Sequence, residues 1–380
     1  MGGTMTIRIG TPAWSTSEGG QRVTADVDGV PVWFESPDLP LVPSAESFAS
    51  LFLVPAMARG ATIFSQAPLD ALWLENSREL MAIFHEWWHY PIFAPQAPAD
   101  AARPASTLPE SRARALFFSG GVDSFHGLLS CGEQVELLVF LQGFDIPIHD
   151  QPRADAALAS LRAIASELGM RSGFVRTNLR EHPLLQQAPW ERTNGGALAS
   201  VAHVLAGVAH ELLIASSIAT STEEAWGSHW RTDKLFSSSR MELRQVGETH
   251  RRMHKIQALA HEPLARRHLR VCWANATATG NCSRCAKCTI TRLVLAHAGV
   301  LDAFTVFDGS ATLARDLDGI RSDKRFQTLD ELSRSPRLEP HVRAATRALY
   351  KRSVRIHSLP VRVRRALIRK LLEWTRPIGR

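Results

Sequence analysis

The residues Ser119-Gly120-Gly121-Val122-Asp123-Ser124 follow the apolar run 115–118 and precede the helix-like stretch 125–129. That order reads as a strand, a loop and a helix start. Two adjacent glycines let backbone amides turn toward one point with no Cβ in the way, and the following helix adds its positive end, so a pyrophosphate group is the natural ligand. An ordinary glycine turn is the simpler alternative, and no Gly-Lys-Ser/Thr follows as a Walker loop requires. Far downstream, Cys272, Cys282, Cys285 and Cys288 stand with nine, two and two residues between them. Four thiolates at such spacings suit a closed, tetrahedral, structural Zn²⁺ site. An iron–sulfur cluster or scattered core cysteines are the competing readings.

The loop resembles the signature of the ATP pyrophosphatase (PP-loop) superfamily, whose members cleave ATP between the α and β phosphates and activate a substrate as its adenylate. Taken with the cysteine spacing, the stretch 114–300 resembles the 7-cyano-7-deazaguanine synthases. The resemblance implies a doubly wound, Rossmann-like parallel α/β sheet of PP-loop type with a small zinc knuckle. It also implies ATP, Mg²⁺ and Zn²⁺ as cofactors, and a small-molecule carboxylate that is adenylated and passed to ammonia or an amine. Carried over by position, Ser119, Gly120, Gly121, Val122, Asp123 and Ser124 hold the pyrophosphate portion of ATP. Asp123 supports the magnesium or the loop geometry, and Asp123, Ser124 and Lys255 are the catalytic candidates. Arg252 and Arg292 are further cations that could neutralise charge. Adenine is expected near the strand end at 140–144. A tRNA- or RNA-modifying thiolase or lysidine-type ligase, and a non-catalytic ATP-sensing module of a conflict system, are the alternative functions.

Around these motifs the chain reads as four segments. An α+β domain of unknown role spans 1–90, with strands near 22–34 and helices at Ala45–Arg59 and 69–88. A linker follows at 91–113, marked by Pro91, Pro95, Pro98, Pro104 and Pro109 among alanines. The nucleotide domain occupies 114–300, with strands at 135–142, 173–177 and 212–216 and helices at 154–168 and 197–211. A helical extension, 301–380, ends in a basic tail. Polar, tryptophan-rich loops at 178–196 and 216–239 are the expected walls of an acceptor pocket. His85-Glu86-Trp87-Trp88-His89 spells H-E-x-x-H, but Pro91 stops the helix beside it and no third ligand is evident, so packing is the better reading.

At 380 residues with 45% apolar and 21% charged side chains, the chain can bury two cores and is no disordered or fibrous polymer. Five cysteines, four of them in the knuckle, point to a reducing cytoplasm. No signal-peptide start and no run of eighteen apolar residues is present, so no transmembrane segment is expected. Residues 351–380 hold ten Lys or Arg against Glu373 alone, leaving the other 350 residues slightly acidic within a net charge of +7. Extensive nucleic-acid contact by the main body is therefore disfavoured. In the tail, Val363, Leu367, Leu371 and Trp374 recur at helical spacing opposite arginines, a pattern suited to packing on its own domain or to an anionic membrane, RNA or a partner. Oligomeric state is not readable.

Overall fold

The computed structural model describes residues 5–98, 108–109, 111–131, 134–222, 224–277 and 280–358. It divides into two compact units, Met1–Lys255 and Ile256–Arg380. The basic-tail pattern at 362–374 lies outside the described residues.

The first unit is built from β1 (Thr6–Ile9), β2 (Ala13–Ser17), β3 (Gly20–Val27), β4 (Val30–Ser36), α1 (Ala45–Arg59), β5 (Thr62–Ser65) and α2 (Ala71–Trp88). It continues with β6 (Ala113–Phe117), α3 (Val122–Cys131), β7 (Leu137–Gln142), α4 (Gln151–Glu167) and β8 (Arg171–Thr177). Then come α5 (Pro183–Gln186), α6 (Trp190–Val204), β9 (Ala209–Ala215), β10 (Glu242–Val246) and the start of α7 (Arg252–Ala258). All ten strands form one sheet in the order β10-β9-β6-β7-β8-β4-β3-β1-β5, with β2 paired to β3. From β10 to β8 every pairing is parallel. Within that half, β6 is first in the chain and central; β7 and β8 extend to one side, β9 and β10 to the other. The chain therefore reverses direction across the sheet between β6 and β9, and ligands of open α/β sheets sit outside the carboxyl ends of the strands at such a reversal.

Alternation along the strands explains why helices lie on both faces. Ala115, Phe117, Leu137 and Val139 join the core cluster that contains α1 and α6. Leu116, Leu138 and Phe140 point the other way, toward the face against which α3 and α4 pack.

The expected independent N-terminal domain is not a separate body. β4 pairs antiparallel with β8 at Phe34↔Thr177 and Glu35↔Arg176. Side chains lengthen that short ladder: the Trp33 amide donates to Asn178 Oδ1 at 2.9 Å, Thr177 Oγ1 to the Trp33 carbonyl at 2.6 Å, and Ser36 Oγ to the Phe174 carbonyl at 2.6 Å. Buried Glu35 takes ion pairs from Arg22 at 2.5 Å and Arg176 at 3.5 Å. α1 is buried on nearly every side, as a helix apolar all round must be, and packs on α6. The proline-rich stretch is also partly tied down, because Gln96 exchanges backbone bonds with Ile63 and Ser65 at 2.8 Å beside β5. The expected boundaries near 90 and 114 thus fall inside one unit, and the division comes at 255.

The second unit is helical: α8 (Pro263–His268), α9 (Ala286–His297), α10 (Leu313–Gly319), α11 (Phe326–Ser333) and α12 (Pro340–Ser358), with Leu293, Leu317, Leu329, Leu332 and Leu349 fully buried. The four cysteines belong to this unit, not to the sheet as the expected 114–300 domain placed them. Among the described residues no helix is long and apolar enough to cross a membrane.

α1 and α6 touch closely enough that a Cβ on Gly196 would lie 2.4 Å from the Ser50 carbonyl oxygen. We expect Gly196→Ala to force these helices apart and destabilise the first unit by about 1–3 kcal/mol in thermal or denaturant unfolding. A change confined to residues 1–90 would contradict the shared core.

Candidate functional site

β6 and α3 present the Ser119–Ser124 loop at the carboxyl end of the central strand, beside the reversal point. Gly120 has φ 73°, a left-handed conformation that favours glycine. The loop is closed by its own serines: the Gly121 amide donates to Ser119 Oγ at 3.3 Å, Ser124 Oγ donates to the Gly121 carbonyl at 3.0 Å, and the two hydroxyls are 3.5 Å apart. The Gly121 carbonyl also accepts the first helical bond, from the Phe125 amide at 3.0 Å. Helix geometry then leaves the amides of Val122, Asp123 and Ser124 with no carbonyl one turn back inside α3. Ser119 is exposed, whereas Ser124 is buried and turned into the loop.

Asp123 gathers two cations. Arg252 Nη1 donates to its Oδ2 at 2.6 Å, and Lys255 Nζ stands 3.5 Å from Oδ1. Both come from the first turns of α7, which follows β10. Lys255 is only 1% exposed and also donates to the Ser216 carbonyl just past β9. Burial is the main force pulling its pKa down; the Asp123 carboxylate opposes that, and Arg252 adds to it. Two cations thus stand where α3 points its positive end, with Glu248 a further carboxylate acting on Lys255. In this arrangement Asp123 orients Arg252 and Lys255.

His126, one turn beyond Asp123, was not a sequence candidate. Its ring lies 5.1 Å from that of His250, and burial, then Lys255, hold its pKa down to about 4. Gly247 ends β10 at φ 76°, and a Cβ there would lie 2.8 Å from His126 Nδ1. A histidine three residues after the Asp123 that α3 carries in its first turn was the available signal.

Other expectations resolve differently. The rings of Phe140 and Phe144 pack against Phe174 and Trp190, which leaves backbone groups along 140–144 as the ones that would read an adenine edge. The stretch 178–196 is largely ordered into α5 and the start of α6 and is no open loop, and Asn178 pins the β4 hairpin. Arg292 is fully buried and donates to the carbonyls of Ser283, Asp308 and Gly309, to Thr312 Oγ1 and to Asp316, at 2.7–3.0 Å. It is a structural tie and not a free catalytic cation. His85 is bonded to the Tyr90 carbonyl at 2.7 Å, Glu86 pairs with Arg231, and His89 is the left-handed cap of α2, so H-E-x-x-H is engaged in local structure.

The segment after β9 is organised by Asp233. Its buried carboxyl accepts from Ser228 Oγ at 2.7 Å, Gln245 Nε2 at 2.7 Å and the His229 amide at 3.1 Å. Among the described residues no cation joins them, and burial pushes its pKa up to about 7. A carboxyl that holds its proton more tightly when folded stabilises the fold below about pH 4, and that contribution fades as pH rises to about 7. Asp233→Asn should remove that slope from a plot of stability against pH; an unchanged slope would assign the titration elsewhere.

In the second unit, Cys272, Cys282, Cys285 and Cys288 place their sulfurs within 4.8 Å of one another. The Cys272–Cys285 and Cys282–Cys288 pairs are each 4.0 Å apart, close to the separation of about 3.8 Å that a tetrahedron with 2.3 Å metal–sulfur bonds requires. Asn281 frames them, accepting the Val271 and Cys272 amides on Oδ1 and donating from Nδ2 to the Leu269 and Val306 carbonyls. A hydrogen bond from Cys288 pulls Cys285 down to about 4, while the resulting thiolate and burial push Cys288 up. Four sulfurs this close ionise together only around a cation, so the cluster could hold a metal such as zinc. Purified protein should carry about one zinc per chain, and Cys285→Ser should lose it and lower the unfolding temperature. Metal-free protein of unchanged stability would contradict a structural role.

No protein-family model matches this chain, and no curated protein sequence matches it.

Proposed function

We propose that this chain is an ATP-dependent adenylating enzyme of PP-loop type, similar in chemistry to the 7-cyano-7-deazaguanine synthases. The observation that carries the reading is the glycine loop at the carboxyl end of β6, where the sheet order reverses and where Arg252 and Lys255 converge on Asp123. Backbone amides around Gly120 and Gly121 would hold the β and γ phosphates, with Mg²⁺ arriving on the nucleotide. A carboxylate oxygen of the acceptor attacks the α-phosphorus, the bond to the β-phosphate oxygen breaks, and pyrophosphate leaves with the charge that the two cations and the helix end offset. Ammonia or an amine then attacks the acyl carbon, loses a proton and displaces AMP, giving an amide. A second ATP-dependent activation could dehydrate that amide to a nitrile. The cysteine cluster would hold Zn²⁺ as a structural ion. An RNA-modifying role would depend on the basic tail, which beyond residue 358 lies outside the described residues.

The test is product analysis with ATP, Mg²⁺, ammonium and a panel of small carboxylic acids. AMP and pyrophosphate should appear in equal amounts, and Asp123→Ala should lower kcat/KM about a hundredfold or more. ADP with inorganic phosphate would overturn the adenylation reading. Tight ATP binding with no cleavage would favour an ATP-sensing module.

A further inference from the structure

Arg192 stands in the first turn of α6, and α6 begins at the end of the sheet where β8 finishes, the same end that carries the glycine loop after β6 and Ser216 after β9. Its guanidinium lies 5.3 Å from the ring centre of Trp88 and 5.6 Å from that of Tyr90, and Nη1 donates to the Tyr90 hydroxyl at 2.5 Å. The neighbouring Arg231 is held in a similar way over Trp87, but both its arms are engaged by Glu86 at 2.9 and 3.0 Å. Among the described residues Arg192 has no carboxylate partner. An arginine clamped by aromatic faces keeps its planar fork pre-set for a carboxylate or phosphate, and little rotamer freedom is left to lose on binding.

Among the described residues, two buried side-chain atoms of this region lack partners, the acceptor Asn194 Oδ1 and the donor His229 Nε2. The segment after β9 lies directly on this turn of α6: the Gly227 amide donates to the Glu191 carbonyl at 2.7 Å, and a Cβ on Gly227 would come within 2.6 Å of the Arg192 carbonyl oxygen. Two residues on, His229 is 2% exposed and packs its ring on Trp87. Its Nδ1 accepts from the Arg231 amide at 3.1 Å, which assigns the proton of the neutral ring to Nε2. That Nε2 is buried with no acceptor among the described residues. Buried donors are rarely left unmatched, and a free N–H on the segment that covers the Arg192 turn suits an oxyanion.

We propose that Arg192 receives an anionic group, carboxylate or phosphate, of the acceptor, so that Trp88 and Tyr90 from the N-terminal segment form part of the substrate site. The identification of the ligand as the acceptor rests on the adenylation reading; the oxyanion site itself does not. It gives the first ninety residues a function that the glycine loop and the cysteines do not supply.

Tryptophan fluorescence of the full chain without ATP, titrated separately with succinate and with inorganic phosphate at constant ionic strength, reads the site directly. At least one anion should give a saturable change, and the preferred one identifies the group. Arg192→Gln should weaken that binding about ten- to a hundredfold, the loss expected for charge-assisted hydrogen bonds. Arg192→Lys and Tyr90→Phe should fall between, with unfolding temperatures near wild type, and Arg231→Gln should bind as wild type. Under turnover, Arg192→Gln should raise KM for the acceptor and leave KM for ATP unchanged. Wild-type affinity in a folded Arg192→Gln variant, or no saturable binding of either anion, would overturn the proposal. Arg192-dependent anion binding without pyrophosphate release would sink the adenylation reading alone.

Discussion

The contact on which the candidate site depends is the ion pairing of Asp123 with Arg252 and Lys255. It fastens the first turn of α3 to the first turns of α7, and Lys255 extends the fastening to the Ser216 carbonyl past β9. Three separate chain segments therefore meet at the carboxyl ends of β6, β9 and β10. Losing Asp123 would leave Lys255 buried and unpaired, which costs far more than the net worth of the pair. The same arrangement gathers two cations and the positive end of a helix at the loop.

The rest of the first unit supports that junction from behind. The parallel half supplies the reversal between β6 and β9, and a mixed half, antiparallel except for β1 with β5, widens the sheet through β4 against β8. α1 buries itself against α6 because Gly196 admits close approach. α2 carries its aromatic end to the first turn of α6, where Trp88 and Tyr90 meet Arg192. The N-terminal residues are thus part of the wall around the sheet's carboxyl end. In the second unit the cysteine cluster plays the corresponding organising role, with Asn281 and Arg292 tying its loop to the surrounding backbone.

Much of this was legible in the residues, for identifiable reasons. α1 is bounded as expected at Ala45 and Arg59 because Ser44 caps one end and Gly60 turns left-handed at the other. The glycine loop and the cysteine spacing are short-range patterns, and local geometry follows from them directly. What failed was long-range. Pairing of β4 with β8 joins residues some 140 positions apart and leaves no local trace. β10 carries no strand signal of its own, because Glu242–Val246 holds only two apolar residues within a polar stretch. Asn194-Gly195-Gly196 reads as a turn, yet lies inside α6. Its glycines serve packing: a Cβ on Gly195 would meet the Gly227 carbonyl oxygen at 2.0 Å, and one on Gly196 the Ser50 carbonyl. His126, Arg192 and Asp233 acquire their significance only from neighbours distant in the chain.

Hydrogen exchange of the intact protein with and without saturating Mg²⁺-ATP tests the central claim most directly. If the amides at the start of α3 cradle the polyphosphate, the peptide covering 118–125 should gain protection on nucleotide binding, together with the peptide carrying Arg252 and Lys255. Bound ATP that leaves exchange at both peptides unchanged would contradict the account.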